Sequence, residues 1–187
     1  MPGRLPPSAR NVALVVAVLL ALPAAAAAQD CPAGPERAAV LGALNAAREH
    51  AGVAPVRRRP ALGRAACAYA ADMVARRFFS HTSPEGEGPA DRARASGYLR
   101  EAPVWSVGEI LLWSSKPVFT AADAAAAWLA SPPHKAVLLT RGYRDAGVGI
   151  VPGDPLGNPL TTSSVTMAVL FGHRRVLADG ARRRASR

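Results

Sequence analysis

An α+β fold is predicted by two observations: helical apolar spacing through the first two thirds of the chain, and two-residue alternation with β-branched residues through the last third. Runs of helices followed by strands place the helices against an antiparallel sheet of about three to four strands, rather than in repeated βαβ units.

The elements follow in order. Arg4 and Arg10 precede the apolar stretch Val12 to Leu22, and an alanine run leads to Ala28-Gln29. A bilayer span needs roughly 20 apolar residues, so residues 1–28 read as a secretory signal peptide, with an uncleaved anchor as the alternative. Gln29-Asp30 stands where a lipoprotein would need small residues before Cys31, and no later stretch is apolar enough to span. Residues 29–37 form an N-terminal segment ahead of a domain over 38–173, and 174–187 read as a basic tail. The protein is expected outside the cytoplasm, secreted or periplasmic.

Val40, Leu41, Leu44 and Ala47 give a first helix over 36–51, stopped by Gly52. Pro60 opens a second, whose Leu62, Ala66, Tyr69 and Met73 form one stripe ending at Arg76-Arg77. The loop Ser80 to Gly88 leads to a short helix from Pro89 to about Gly97-Tyr98. Thr120 caps a helix through Leu129, and Ser131-Pro132-Pro133 makes the cap and first turn of another that carries His134. Ala146 to Val151 and Val165 to Phe171 read as antiparallel strands around the loop Pro152 to Thr162, with Glu109 to Trp113 as a third.

The 187 residues carry a net charge of +10, and removing Arg4 and Arg10 leaves +8. Much of the excess is local, in Arg57-Arg58-Arg59, Arg76-Arg77, Arg174-Arg175 and the tail Arg182-Arg183-Arg184. Such runs are usually solvated faces or tails. No aromatic residues interleave them as a stacking platform, so nucleic acid is not an expected partner. Anionic surface polymers and lipids stay open. Cys31 and Cys67 both survive processing into an oxidising compartment, which favours a disulfide between them over two free or metal-binding thiols.

The residues that carry chemistry are His81 on the loop after the second helix, Glu109 after Val107-Gly108, and His134 after Ser131-Pro132-Pro133. Two imidazoles and a carboxylate at breaks in regular structure can converge as metal ligands or as acid/base groups. His50 and His173 stand apart and read as surface residues, His50 at a helix C-terminus that favours an imidazolium.

Taken in order along the chain, these motifs resemble the CAP superfamily: cysteine-rich secretory proteins, antigen five and plant pathogenesis-related proteins, and most nearly its short bacterial secreted branch. The matching residues are Leu44-Asn45-Ala46-Ala47-Arg48 with Gly52 and Pro55, then Phe79 to Pro84, Pro89, Arg92, Gly97-Tyr98 and Gly108-Glu109. Trp128, Ser131-Pro132, His134, Tyr143, Gly147-Val148-Gly149 and Phe171-Gly172 complete the series. The resemblance implies an α-β-α sandwich with a cleft holding His81, Glu109 and His134, where family members bind divalent cations. The second acidic position of eukaryotic members falls on Ser131. The family's Gly-Glu-Asn reads Gly108-Glu109-Ile110 here, which removes a polar neighbour of the glutamate.

Three functional readings follow. One is a binding module, with His81, His134 and Glu109 as ligands of Zn²⁺, which suits nitrogen donors better than Ca²⁺ does, or of an unidentified small-molecule, lipid or cell-envelope ligand. A second is a metal-dependent hydrolase acting on peptide or cell-wall bonds, against which no His-Glu-x-x-His or Gly-x-Ser-x-Gly occurs. A third is a structural His/Glu network with no ligand.

Overall fold

A computed structural model describes residues 34–116, 119–158 and 163–176. The expected signal peptide over 1–28, residues 29–33 with Cys31, and residues 177–187 therefore lie outside the described residues, while Pro35 to Arg37 of the expected N-terminal segment belong to the first helix.

Five helices and four strands appear in the order α1 (Pro35–His50), β1 (Arg57–Arg58), α2 (Pro60–Arg76), α3 (Pro89–Ala95), β2 (Val104–Ser114), α4 (Ala121–Ala130), α5 (Pro132–Leu138), β3 (Asp145–Pro152) and β4 (Val165–Arg175). The helices start as the sequence dictates. Pro35, Pro60, Pro89 and Pro132 occupy first-turn positions, where the missing N–H is not needed. Thr120 and Asp123 form a reciprocal capping box at α4: Asp123 N–H donates to Thr120 Oγ1 at 3.2 Å, and Thr120 N–H to Asp123 Oδ2 at 2.9 Å.

The sheet order is β1-β3-β4-β2. β3 and β2 both pair antiparallel with β4, as alternation predicts, but β1 pairs parallel with β3. The sheet is therefore mixed, which corrects the expectation of a purely antiparallel one. Two residues are too short to show a period, and Arg57-Arg58-Arg59 reads in sequence as a solvated charge run. What makes it a strand is backbone pairing, Arg57 N–H to Arg144 O at 2.9 Å and Arg59 N–H to Ala146 O at 2.8 Å. Alternation also turns Arg57 and Arg59 together onto the buried carboxylate of Asp145, at 3.3 and 2.9 Å.

β2 begins at Val104, five residues before Glu109: Val104 and Trp105 are exposed, and what makes them strand is pairing with the end of β4. β4 in turn runs to Arg175. His173 is thus a half-buried strand residue rather than a surface residue leading into a tail, and Arg174 stacks its guanidinium over Tyr98.

Both faces of the sheet are covered, giving the α-β-α sandwich. On one side α1, α4 and α5 bury Val40, Leu44, Trp128 and Leu138 against Ile110, Val148, Val169 and Phe171. On the other, α2 and α3 bury Leu62, Ala66, Tyr69, Met73 and Ala93 against Leu111, Ala168 and Leu170. Alternation along β2 thus sends Ile110 to the first layer and Glu109 and Leu111 to the second.

Two glycines of β3 set the depth of α2. A Cβ on Gly147 would stand 2.1 Å from Gly63 N, and one on Gly149 would stand 2.4 Å from Ala66 C, so the helix backbone lies directly on the strand. The glycines matched in sequence as a family signature are therefore a docking surface. On the other side, Arg48 is fully buried without a carboxylate: its guanidinium donates to Ala54 O, Leu138 O, Thr140 O and Tyr143 O, tying α1 to the turn after α5.

Candidate functional site

The site grows from the C-terminus of α2. Arg77 takes a left-handed conformation, φ 57°, which ends the helix and turns the chain into the loop that carries His81. Three side chains then pin that loop. Tyr69 donates its hydroxyl to Ser80 O at 2.7 Å, Arg92 donates to His81 O and Glu87 O, each at 2.9 Å, and Arg76 pairs with Glu85. Burial, outweighing the pull of Arg92, pushes the Tyr69 phenol up to about 12, so it remains a donor at any physiological pH. Arg92 also lies flat on the Tyr69 ring, 3.4 Å from guanidinium carbon to centroid.

Arg92 is the hub. The same guanidinium nitrogen that holds His81 O reaches both oxygens of Glu109, at 3.0 and 2.8 Å. The Glu109 side chain is 0% exposed, projecting from β2 toward α2 and α3, and its remaining capacity goes to His81, whose Nδ1 lies 2.9 Å from Oε1. A carboxylate paired with a guanidinium is an acceptor only, so the hydrogen in that contact belongs to His81 Nδ1. In the neutral ring, Nε2 then keeps its lone pair. The His81 side chain is 50% exposed, so its inner edge is locked while its outer edge faces solvent.

His134 approaches from the other layer. It sits on α5, whose Val137 packs over Gly108 of β2. Its Nδ1 lies 2.8 Å from Ser131 Oγ. A hydroxyl can donate or accept, so either tautomer of His134 is accommodated. Burial lowers the pKa of His134, and the nearby His81 lowers it further, which favours a neutral ring with a free lone pair.

The four residues predicted from sequence thus fall into two linked pairs, His81 with Glu109 and Ser131 with His134. Glu109 reaches His81 through a direct hydrogen bond, and the two pairs are linked by the electrostatic effect of His81 on His134. Among the described residues, no three His, Cys, Asp or Glu side chains are grouped to hold a metal ion. The reason is geometric: Glu109 faces the α2 and α3 layer and is occupied by Arg92, whereas His134 comes from α5 on the opposite face. The residues free to donate outward are the two imidazoles, with Glu109 behind one of them. In that arrangement a carboxylate fixes the tautomer and the orientation of the ring.

Sequence reasoning did not assign roles to Arg92 and Tyr69. Tyr69 was legible only as core, and its ring is core, while the hydroxyl at the end of that stripe holds the loop. Arg92 carried a signal in being an arginine at a position where a seven-residue helix must turn toward the protein. It is 8% exposed.

Cys67 is buried on α2, and no free cysteine stands among the described residues. The cavity of about 460 Å³ at the start of α1 and α2 includes none of His81, Glu109, Ser131 and His134.

The cysteine-rich secretory protein family (CAP) matches residues 41–169 of the chain. Among solved structures, an outer surface protein of Borrelia burgdorferi superposes with a TM-score of 0.59 at 22% identity, over 73% of this chain and 90% of that one. An extracellular protein containing an SCP domain, from Bacillus anthracis, gives 0.56 at 18% identity, over 76% of this chain and 44% of that one. This chain therefore spans less than half of the Bacillus protein. At these identities the likeness is one of fold. A search of curated proteins finds no match.

Proposed function

From the premise that this chain belongs to the cysteine-rich secretory protein family, we propose that it is an extracellular binding protein. Its His81 and His134 imidazoles together take a divalent cation or a small polar ligand, and Glu109 acts as the group that orients His81. The observation that carries this reading is the divided state of His81, with Nδ1 on a carboxylate of no exposure and half of the side chain in solvent. A network serving stability alone gains nothing from leaving that ring half-exposed, since a desolvated hydrogen bond is the stronger one.

The donor set suits a borderline cation such as Zn²⁺ better than an oxygen-seeking one. It does not fit a closed structural zinc site, which takes four protein ligands, because Glu109 is spent on Arg92. Two imidazoles leave coordination positions for water or for a ligand, and a bound cation would supply Lewis acidity there. The half-exposed imidazole fixed by Glu109 supports a ligand-binding role directly, so binding is the preferred reading.

Titration calorimetry with Zn²⁺ tests this. Wild type should give saturable heat, His81→Ala and His134→Ala should each abolish it, and Glu109→Gln should weaken it by about 10–100-fold. Equal heats from wild type and the histidine variants would refute it. We also infer export through residues 1–28 and a disulfide between Cys31 and Cys67. Intact mass of the exported protein, before and after reduction and alkylation, checks both.

A further inference from the structure

The surface around β1 and the start of α2 presents a different chemistry from the histidine site. β1 and the start of α2 carry Arg58 and Arg64 at exposed positions, and the turn after α3 carries Arg100. Arg58 and Arg64 border the depression of about 460 Å³, whose walls include Pro35, Leu41 and Val148. Beside it lies a more open depression of about 390 Å³, bordered by Arg64, Arg100 and Glu101. Arg64 lines both, so the two are consecutive.

Several exposed or half-buried arginines are paired with carboxylates, Arg76 with Asp72 and Glu85 and Arg94 with Asp91, while Arg141, Arg144 and Arg174 spend their guanidinium groups on backbone carbonyls. Among the described residues, Arg58, Arg64 and Arg100 have no carboxylate partner. Three unpaired guanidinium groups spaced along two connected depressions do not converge on one point, as a single small anion would require. They match anionic groups repeated along a flexible chain. Guanidinium forks favour phosphate oxygens, and the apolar walls between them suit short uncharged spacers. The depressions offer no aromatic platform for bases.

We propose that this face binds a linear polyol-phosphate polymer, a repeating phosphodiester without bases, and so docks the protein on an anionic envelope. The surface runs from β1 past the start of α2 to the turn after α3, and its lining includes neither His81 nor His134.

The test measures binding of purified poly(glycerol phosphate) by biolayer interferometry across NaCl concentrations. Binding should weaken steeply with salt. A triple Arg58→Gln, Arg64→Gln, Arg100→Gln variant should lose about tenfold or more in affinity while keeping the wild-type melting temperature, as exposed positions allow. His81→Ala should bind as wild type does, which separates this outcome from that of the histidine site. Undiminished binding by the triple variant would overturn the proposal. So would loss of binding on Arg182→Gln, Arg183→Gln, Arg184→Gln, which would assign it to the tail. Arginine-dependent binding to phosphatidylglycerol vesicles with none to the polymer would overturn it as well, in favour of a lipid surface.

Discussion

A buried carboxylate lies beneath the β1 edge, Asp145 of β3, and another on the β2 edge strand, Glu109, and the two are neutralised in different ways. At the β1 edge, Asp145 is covered by Arg57 and Arg59 and accepts from the Tyr98 hydroxyl at 2.9 Å. At the β2 edge, Glu109 is held from below by Arg92 and from above by His81. Both anions are satisfied, but their outer partners differ in chemistry. Guanidinium groups are always charged and have only donors, so the Asp145 cluster ends in groups that can only donate. An imidazole fixed through one nitrogen keeps a second that can accept a proton or bind a cation. The difference makes one cluster a clasp and fits the other to the binding role proposed for it.

The comparison breaks most visibly at Arg92. Arg92→Ala leaves Glu109 buried beside a half-exposed imidazole, and an uncompensated buried charge costs about 3–5 kcal/mol. Urea denaturation should show that loss, and adding Glu109→Gln in the same background should restore part of it. Arg57→Ala, by contrast, removes a partner that is 72% exposed while Arg59 remains, and should cost no more than about 1 kcal/mol.

Next in size is Gly149→Ala. Its Cβ would enter the α2 backbone, and overpacking of this kind costs about 1–3 kcal/mol. Because α2 carries Tyr69, the displacement should also loosen Ser80 and lower Zn²⁺ affinity, a coupling that calorimetry can read beside the stability change. Tyr98→Phe strips a donor from Asp145 and should cost about 1–3 kcal/mol without touching Zn²⁺ binding.

The smallest effect concerns pH. The pKa of His134 is lowered in the folded, metal-free protein, so the unfolded chain binds that proton more tightly. The sign follows: stability contributed by the neutral ring is present above the unfolded value of about 6.5 and declines as pH falls through it. An NMR titration should place the His134 midpoint below 6.5, and His81→Ala should move it upward by relieving like-charge repulsion.

Much of the fold was legible because its signals are local. Prolines at first turns, Thr120 with Asp123, and the alternation of Val165 to Phe171 each act within a few residues. β1 was not legible, since its two residues become a strand only through Asp145 and the backbone of β3, 88 positions away. In the site, His81, Glu109 and His134 stood out as residue types at breaks in structure, and the motif order brought them together. Their division of labour did not show, because it depends on which face of β2 Glu109 takes and on Arg92 reaching it from another helix.

The central claim, that Glu109 holds His81 with its Nε2 free toward solvent, is tested most directly by ¹⁵N-resolved NMR of the imidazoles at neutral pH with and without Zn²⁺. The account predicts the Nδ1–H tautomer for His81, with Zn²⁺ shifting the His81 Nε2 and His134 resonances together. An Nε2–H tautomer for His81, with both rings unmoved by Zn²⁺, would contradict it.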